Sequence, residues 1–145
     1  NQSDIYYLRG QTYYRQGEYD KAVADFNRII KQNPKHADAY FYRGKTFSQQ
    51  KRWGPALADF TKAMSLNGKK SEYYYFRGLI YYEQGQFDKA IADQSKAIQF
   101  NPKFAESYYH RANAYWGKNN CQKTNPDLKK ACQLKYYPAC VTECR

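Results

Sequence analysis

Cysteine is missing from the first 120 residues of this 145-residue chain, and all four cysteines, Cys121, Cys132, Cys140 and Cys144, fall in the last 25. Long apolar stretches are missing too: no run of about 18 apolar residues occurs, so no segment reads as a membrane-spanning helix. Leu, Ile, Val and Phe together number only 22, and the formal net charge is +11. Few apolar side chains with a large net charge ordinarily mark a disordered chain. Catalytic patterns are equally scarce. His36 and His110, the two histidines, stand without a cysteine or carboxylate at motif spacing, and no glycine-rich phosphate loop accompanies them. Neither an enzyme nor a metal or cofactor site is therefore expected. Position 1 is Asn rather than an initiator Met, and no charged-then-apolar leader follows it, so any leader is expected to have been removed or to lie outside this chain.

What the chain has instead is a motif that returns every 34 residues. Gly10, Gly44 and Gly78 share one column with Ala112 in the fourth place, and Tyr13, Phe47, Tyr81 and Tyr115 follow each by three. Ala22, Ala56 and Ala90 keep the same step, as do Phe26, Phe60 and Leu128, and each unit closes near Pro34, Gly68 or Pro102. A period of this length marks a helical repeat array rather than a single-core domain. Seventeen tyrosines supply the apolar area the aliphatic residues lack, since a buried Tyr contributes a large ring and needs a partner only for its hydroxyl.

Within the first unit, Ile5, Tyr6, Leu8, Tyr13 and Tyr14 have helical spacing from Ser3 to about Gln16, with Ser3 as the expected N-cap. Gly17 ends that helix. Asp20 is the expected cap of a second helix, whose stripe is Ala22, Val23, Phe26, Ile29 and Ile30 and which Asn33-Pro34 stops. Units two and three repeat the plan, with Pro55 in a first helical turn where its missing N–H costs little. The fourth unit departs: Thr124 takes the Ala place, and Pro126 is expected to delay the second helix, leaving Cys121 in a long loop.

These units resemble tetratricopeptide repeats. The pattern of small residue, aromatic, Gly, Ala, aromatic, Ala and Pro is read in Gly10, Tyr13, Gly17, Ala22, Phe26, Ile29 and Pro34, and again in Gly78, Tyr81, Gly85, Ala90, Gln94, Ala97 and Pro102. The resemblance covers about residues 3–135. It implies an all-α, right-handed superhelical array of antiparallel helix pairs, a single α-solenoid domain over 1–145. The expected units are about 3–36, 37–70, 71–104 and 105–137, with a short C-terminal helix and a cap over 121–145. Gln94 stands where its siblings are Phe or Leu, which points to a looser contact between units three and four or to a buried hydrogen bond.

One column is unusual for that family. Arg9, Arg43, Arg77 and Arg111 precede the small residue, and Asp25, Asp59, Asp93 and Asp127 follow them by sixteen. An ion pair between the two helices of every unit is expected, partly buried, because a guanidinium fork matches a carboxylate and tolerates desolvation better than Lys. The alternative is an arginine ladder for phosphates.

In Ala131-Cys132-Gln133-Leu134 followed by Pro138-Ala139-Cys140, the tail resembles the Sel1-like, cysteine-rich relatives of these repeats. That resemblance implies a Cys132–Cys140 bridge between the end of one helix and the start of the next. Antiparallel geometry then nests Cys121 with Cys144. Spacings of ten, seven and three residues lack a Cys-x-x-Cys knuckle; a four-cysteine zinc site is the competing reading, and redox catalysis is disfavoured on the same ground. Clustered cysteines imply an oxidising, extracytoplasmic compartment, periplasmic or secreted.

In this family first helices line a concave wall. Tyr7, Phe41, Tyr75 and Tyr109 form an expected ladder of exposed rings there, with Tyr14, Tyr82 and Trp116 beside it and Ser48 as the gap. Asp4, Asp38, Glu72 and Glu106 form an acidic column, which serves either the helix dipoles or a basic ligand. Basic residues fall elsewhere, in Arg28, Lys62, Lys96 and Lys130 and in Lys35, Lys69 and Lys103. The Lys and Asn clamp with which some tetratricopeptide proteins hold a chaperone's C-terminal carboxylate is absent: its places hold Tyr7, Gln11, Tyr42, Glu72 and Phe76. The expected function is a protein-interaction scaffold that takes a peptide or protein segment, with no small-molecule substrate. The alternatives are nucleic-acid or anionic-surface binding through the basic columns, and self-assembly through the end helices.

Overall fold

Every 34-residue repeat folds as two helices because two apolar stripes flank one backbone reversal. In the computed structural model, which describes residues 2–144, that reversal falls at Gly17, Lys51, Gly85 and Asn119, all with positive φ. At each, two hydrogen bonds close the helix end. Gly17 N–H donates to the Tyr14 carbonyl at 3.2 Å and Glu18 N–H to that of Tyr13 at 2.9 Å, and the pattern recurs at Lys51, Gly85 and Asn119. This is the paired closure that satisfies the last carbonyls of a helix.

The chain divides into two units, Asn1–Lys69 and Lys70–Arg145. The first holds α1 (Gln2–Arg15), α2 (Tyr19–Gln32), α3 (Ala37–Gln49) and α4 (Trp53–Leu66). The second holds α5 (Ser71–Glu83), α6 (Phe87–Phe100), α7 (Ala105–Gly117), α8 (Cys121–Gln133) and a 3₁₀ turn, η1 (Tyr137–Cys140). Within each unit every helix packs on the next in sequence, and η1 packs on α8. No strand occurs among the described residues. The fold is an all-α array of helix pairs.

Three expectations about helix starts are corrected. Ser3 is not a cap: α1 already includes Gln2, and the Ser3 hydroxyl donates to Gln32 Oε1 at 2.8 Å. Asp20 is not a cap either. Glu18 holds that place without a side-chain cap bond, because the reversal at Gly17 sets the helix start, and the Asp20 carboxylate instead accepts from Gln50 Nε2 at 2.9 Å. Pro126 delays nothing, and Cys121 is the first residue of α8 rather than part of a loop. The Asn120 side chain accepts from Lys123 N–H at 3.2 Å, and Thr124 Oγ1 donates to the Asn120 carbonyl at 2.9 Å. These bonds secure the first turn, so the helix begins at Cys121 although Pro126, inside it, offers no N–H to the Gln122 carbonyl.

Small residues set the closeness of each pair. A Cβ on Gly10 would stand 2.9 Å from the Phe26 ring, and one on Gly44 would stand 3.0 Å from Phe60 and 3.2 Å from Asp59 Cβ. Opposite Gly78 the ring is replaced by Gln94, which is buried and donates from Nε2 to the Tyr75 carbonyl at 3.2 Å. That hydrogen bond lies inside the third repeat, between α5 and α6.

Two nested disulfides close the second unit: Cys121–Cys144, with Cα atoms 5.3 Å apart, and Cys132–Cys140, 4.9 Å apart. Asn125 reinforces the outer one, accepting from Cys144 N–H at 3.0 Å and donating to its carbonyl at 3.2 Å. Ala139 joins Ala112, Leu128 and Ala131 in the terminal core, with Tyr136 packed against it.

Two substitutions of opposite sign test this packing. Gly44→Ala is expected to destabilise by about 1–3 kcal/mol, because neither Phe60 nor Asp59 Cβ can retreat. Lys51→Gly is expected to stabilise by up to about 1 kcal/mol by relieving a left-handed backbone at a non-glycine residue. Urea midpoints of the two variants against the parent decide both.

Candidate functional site

First helices are held in place by the arginine column. Arg9 reaches Asp25 through Nε at 2.7 Å and Nη2 at 2.7 Å; Arg43 reaches Asp59 at 2.7 and 2.6 Å, Arg77 Asp93 at 2.7 and 2.8 Å, and Arg111 Asp127 at 2.7 and 2.8 Å. All four carboxylates are buried. Burial pushes the Asp59 carboxyl up, with Arg43 partly offsetting it, while hydrogen bonding to the carboxylate raises Arg43 and Arg77. The remaining guanidinium nitrogen reaches across repeats: Arg43 Nη1 donates to Asn27 Oδ1 at 2.6 Å and Arg111 Nη1 to Ser95 Oγ at 3.0 Å. Each of those contacts joins a first helix to the second helix of the preceding repeat. The sequence signal was a short polar residue two places after Asp25 and Asp93. With every fork closed on a carboxylate, the column does not form a free phosphate ladder.

In the first unit the aromatic residues form a network rather than a row of free rings. Tyr7 lies 5.5 Å from His36, 5.6 Å from Tyr42 and 6.5 Å from Phe26, ring centroid to centroid. Burial, then Asp38 and Tyr42, push its phenol up, and Gln11 partly opposes them. Phe41 is corrected: it is 7% exposed, since its ring is wedged 5.8 Å from Phe60 and 5.4 Å from Tyr42. Tyr14 is half-buried beside Tyr19. Lys45, missed in the sequence, sets its ammonium over the rings of Tyr14, Tyr42 and Phe41 at 5.1, 5.2 and 5.6 Å, a cation–π arrangement. Burial and then Arg15 lower its pKa. Asp4 is exposed and Asp38 half-buried.

The second unit offers more accessible surface. Tyr75 packs on Phe104 at 4.8 Å, Phe76 at 5.0 Å and His110 at 5.6 Å; Tyr109 meets Tyr136 at 5.0 Å and His110 at 5.4 Å. Burial lowers the His110 pKa, partly offset by Glu106. Trp116 is 42% exposed. With Tyr82, Asn113, Gly117 and Asn119 it lines a cleft of about 350 Å³. Gly117 must be small: an added Cβ would stand 2.7 Å from the Phe87 ring, which itself packs on Tyr82 at 5.6 Å. Glu72 is exposed, and Glu106 is half-buried near Tyr75. A larger cavity of about 490 Å³ lies away from these rings, between α8 and the tail, lined by Leu128, Cys132, Ala139 and Thr142 among others.

The basic columns are exposed at Arg28, Lys62, Lys96 and Lys130 and at Lys35, Lys69 and Lys103. Some of them already have local partners. Arg28 lies 3.5 Å from Asp25 and over the Tyr6 ring, and Lys96 donates to Gln99.

A tetratricopeptide repeat model matches residues 3–36, and a TPR repeat model matches residues 78–119. The chain is a tetratricopeptide-repeat protein. Similar solved structures agree. A crystal structure of MamA is 26% identical, with a TM-score of 0.86 over 96% of this chain and 81% of that one. MamA 41-end from Desulfovibrio magneticus RS-1 is 22% identical, with a TM-score of 0.83 over 93% and 76%. YrrB, described as a TPR protein with an unusual peptide-binding site, is 21% identical, with a TM-score of 0.81 over 95% and 72%. No curated protein matches in sequence. Tetratricopeptide repeats of this kind are protein-interaction scaffolds.

Tyr75 gives a pH test. Burial first, then Glu106 and Tyr136, push its phenol from 10.0 up to about 12. A raised folded-state pKa contributes stability that is complete below pH 10 and is lost as pH climbs toward 12. Tyr75→Phe keeps the ring and removes that loss. Its urea midpoint is expected to fall less than the parent's between pH 9 and 11.5; equal falls would contradict the assignment.

Proposed function

We propose that this repeat protein binds an extended or helical segment of a partner protein along its first helices, with each unit offering its own contact patch. The observation that carries the reading is the cleft in the second unit, where the exposed Trp116 stands beside Tyr82 and Asn113. Exposed aromatic side chains beside a concavity are the usual centre of binding energy in such contacts. The peptide-binding site named for YrrB lends support by likeness of fold alone.

A basic partner suits the second unit better than the first. The column that holds Arg15 and Gln49 in the first unit holds Glu83 and Gly117 in the second, the column that holds Gln11 and Lys45 holds Leu79 and Asn113, and Glu72 and Glu106 flank the second unit's rings. In the first unit Lys45 already sits over Tyr14, Phe41 and Tyr42, so a partner's cation is disfavoured there. Tyr7, Tyr14 and Asp4 then contribute shape and a rim charge. Nucleic-acid binding through Lys62 and Lys96 is the alternative, and it predicts steep weakening with salt.

Peptides selected from a random library on the parent protein are expected to carry Lys or Arg and to bind at least tenfold more weakly to Trp116→Ala. Selected peptides that ignore both Trp116 and Tyr82 would overturn the cleft as the site.

An oxidising, extracytoplasmic compartment belongs to the same proposal, because the two disulfides staple the end of the array. Protein isolated without reductant is expected to show no titratable thiol. Reduction is expected to lower stability by roughly 2–4 kcal/mol per bridge. Four free thiols in the freshly isolated native protein would reject this placement.

A further inference from the structure

The two units build the same ring frame around different residues. In the first, Phe41 and Tyr42 stand 5.4 Å apart at 75°, Tyr42 lies 5.6 Å from Tyr7, and Tyr14 lies 6.1 Å from Tyr19. Two repeats on, Tyr109 and His110 stand 5.4 Å apart at 80°, His110 lies 5.6 Å from Tyr75, and Tyr82 lies 5.6 Å from Phe87. What the first frame holds is a cation of the chain's own: the Lys45 ammonium sits 5.1, 5.6 and 5.2 Å from the centroids of Tyr14, Phe41 and Tyr42. Ring faces attract a cation at that distance through their negative charge density.

In the second frame the residue in the place of Lys45 is Asn113, whose side chain is short and neutral. Neighbouring exchanges open the same spot. Gly117 replaces Gln49, whose side chain is hydrogen-bonded to the Tyr14 hydroxyl, and Trp116 replaces Ser48. Tyr82, Asn113, Trp116 and Gly117 all line the cleft of about 350 Å³. The charge beside it is reversed as well. Arg15 repels the Lys45 ammonium, and in the second unit its place is taken by Glu83. His110 adds no competing charge at neutral pH, because burial lowers its pKa against the pull of Glu106. Lys118, which follows Gly117, gives its ammonium to Asp88. The frame lies on α5 and α7, which touch each other and are backed by α6 and α8, so it sits within the run of repeats rather than at an end of it.

On the reading of the cleft as a peptide site, we infer that the second unit takes a lysine side chain of the partner segment into the place that Lys45 fills in the first, with its ammonium over Tyr82, Tyr109 and His110 and its stem along Trp116. A lysyl ammonium is the group that the same frame already accommodates in the first unit. Glu83 supplies the opposite charge where Arg15 supplies a like one, so the partner's cation is drawn to one unit and turned away from the other.

The probes are the peptide acetyl-Gly-Gly-Lys-Gly-Gly-amide and its norleucine counterpart, which keeps the carbon stem and lacks the ammonium. Both are titrated into isotope-labelled intact protein and followed at the Trp116 indole N–H. The lysine peptide is expected to shift that signal saturably, at least tenfold more tightly than the norleucine peptide. Asn113→Lys supplies the cation from within, as in the first unit, and is expected to weaken the lysine peptide at least tenfold while melting like the parent. If that variant does not fold, the norleucine comparison on the parent decides alone. Equal affinity for the two peptides, or binding indifferent to Asn113→Lys, would overturn the inference, even where library-selected peptides lost in Trp116→Ala uphold the cleft. Selected peptides that ignore Trp116 while the lysine peptide still titrates it would remove the wider peptide site and leave the lysine site standing. Trp116 shifts that follow protein concentration alone would also overturn the inference, by giving the frame to a lysine of a second copy.

Discussion

Each helix pair closes on a buried carboxylate gripped by a two-pronged guanidinium, and the placement of everything else follows from that contact. Taking both charges out of water costs more than their attraction returns unless the geometry is good and the other polar atoms are satisfied. Paired bonds of 2.6–2.8 Å supply the geometry, and Asn27 and Ser95 take the remaining donor of Arg43 and Arg111. The raised Asp59 pKa shows burial outweighing the help of Arg43. Such a fork contributes position more than net stability: it fixes one turn of a first helix against one turn of a second, and through the third nitrogen it ties repeat to repeat.

The aromatic columns work within that frame. Because glycine or alanine lets the paired backbones approach, a single ring or the Gln94 amide fills the space between them, and little aliphatic core is needed. Tyrosine suits this economy, since its ring packs inward while its hydroxyl stays near water. The consequence is a division of labour along the first helices. Phe41 belongs to the core, Tyr7, Tyr75 and Tyr109 are half-buried in ring networks, and Trp116 stays exposed.

What recurs at 34 residues was legible in the sequence: the helix pairs, the small-residue contacts, and the sixteen-residue step from Arg to Asp that the structure closes at hydrogen-bonding distance. Features set by one local contest were not. Ser3 and Asp20 have good capping side chains, but the reversal at Gly17 decided where helices end and begin. Pro126 reads as a breaker in isolation, yet Asn120 and Thr124 secure the turn before it. Phe41 looked free because its column was read as surface, whereas Phe60 on α4 encloses it. Asn27 and Ser95 belong to a column that was present in the sequence but carries no meaning until the third guanidinium nitrogen is seen to need an acceptor.

The most direct measurement is a double-mutant cycle on Arg43 and Asp59, followed by chemical denaturation. If the fork organises the pair, Asp59→Ala alone costs about 3–5 kcal/mol. Arg43→Ala introduced after it then costs far less than it does in the parent, leaving a coupling above about 1.5 kcal/mol. Single and double losses that add to within about 0.5 kcal/mol would show two independent side chains and contradict the account.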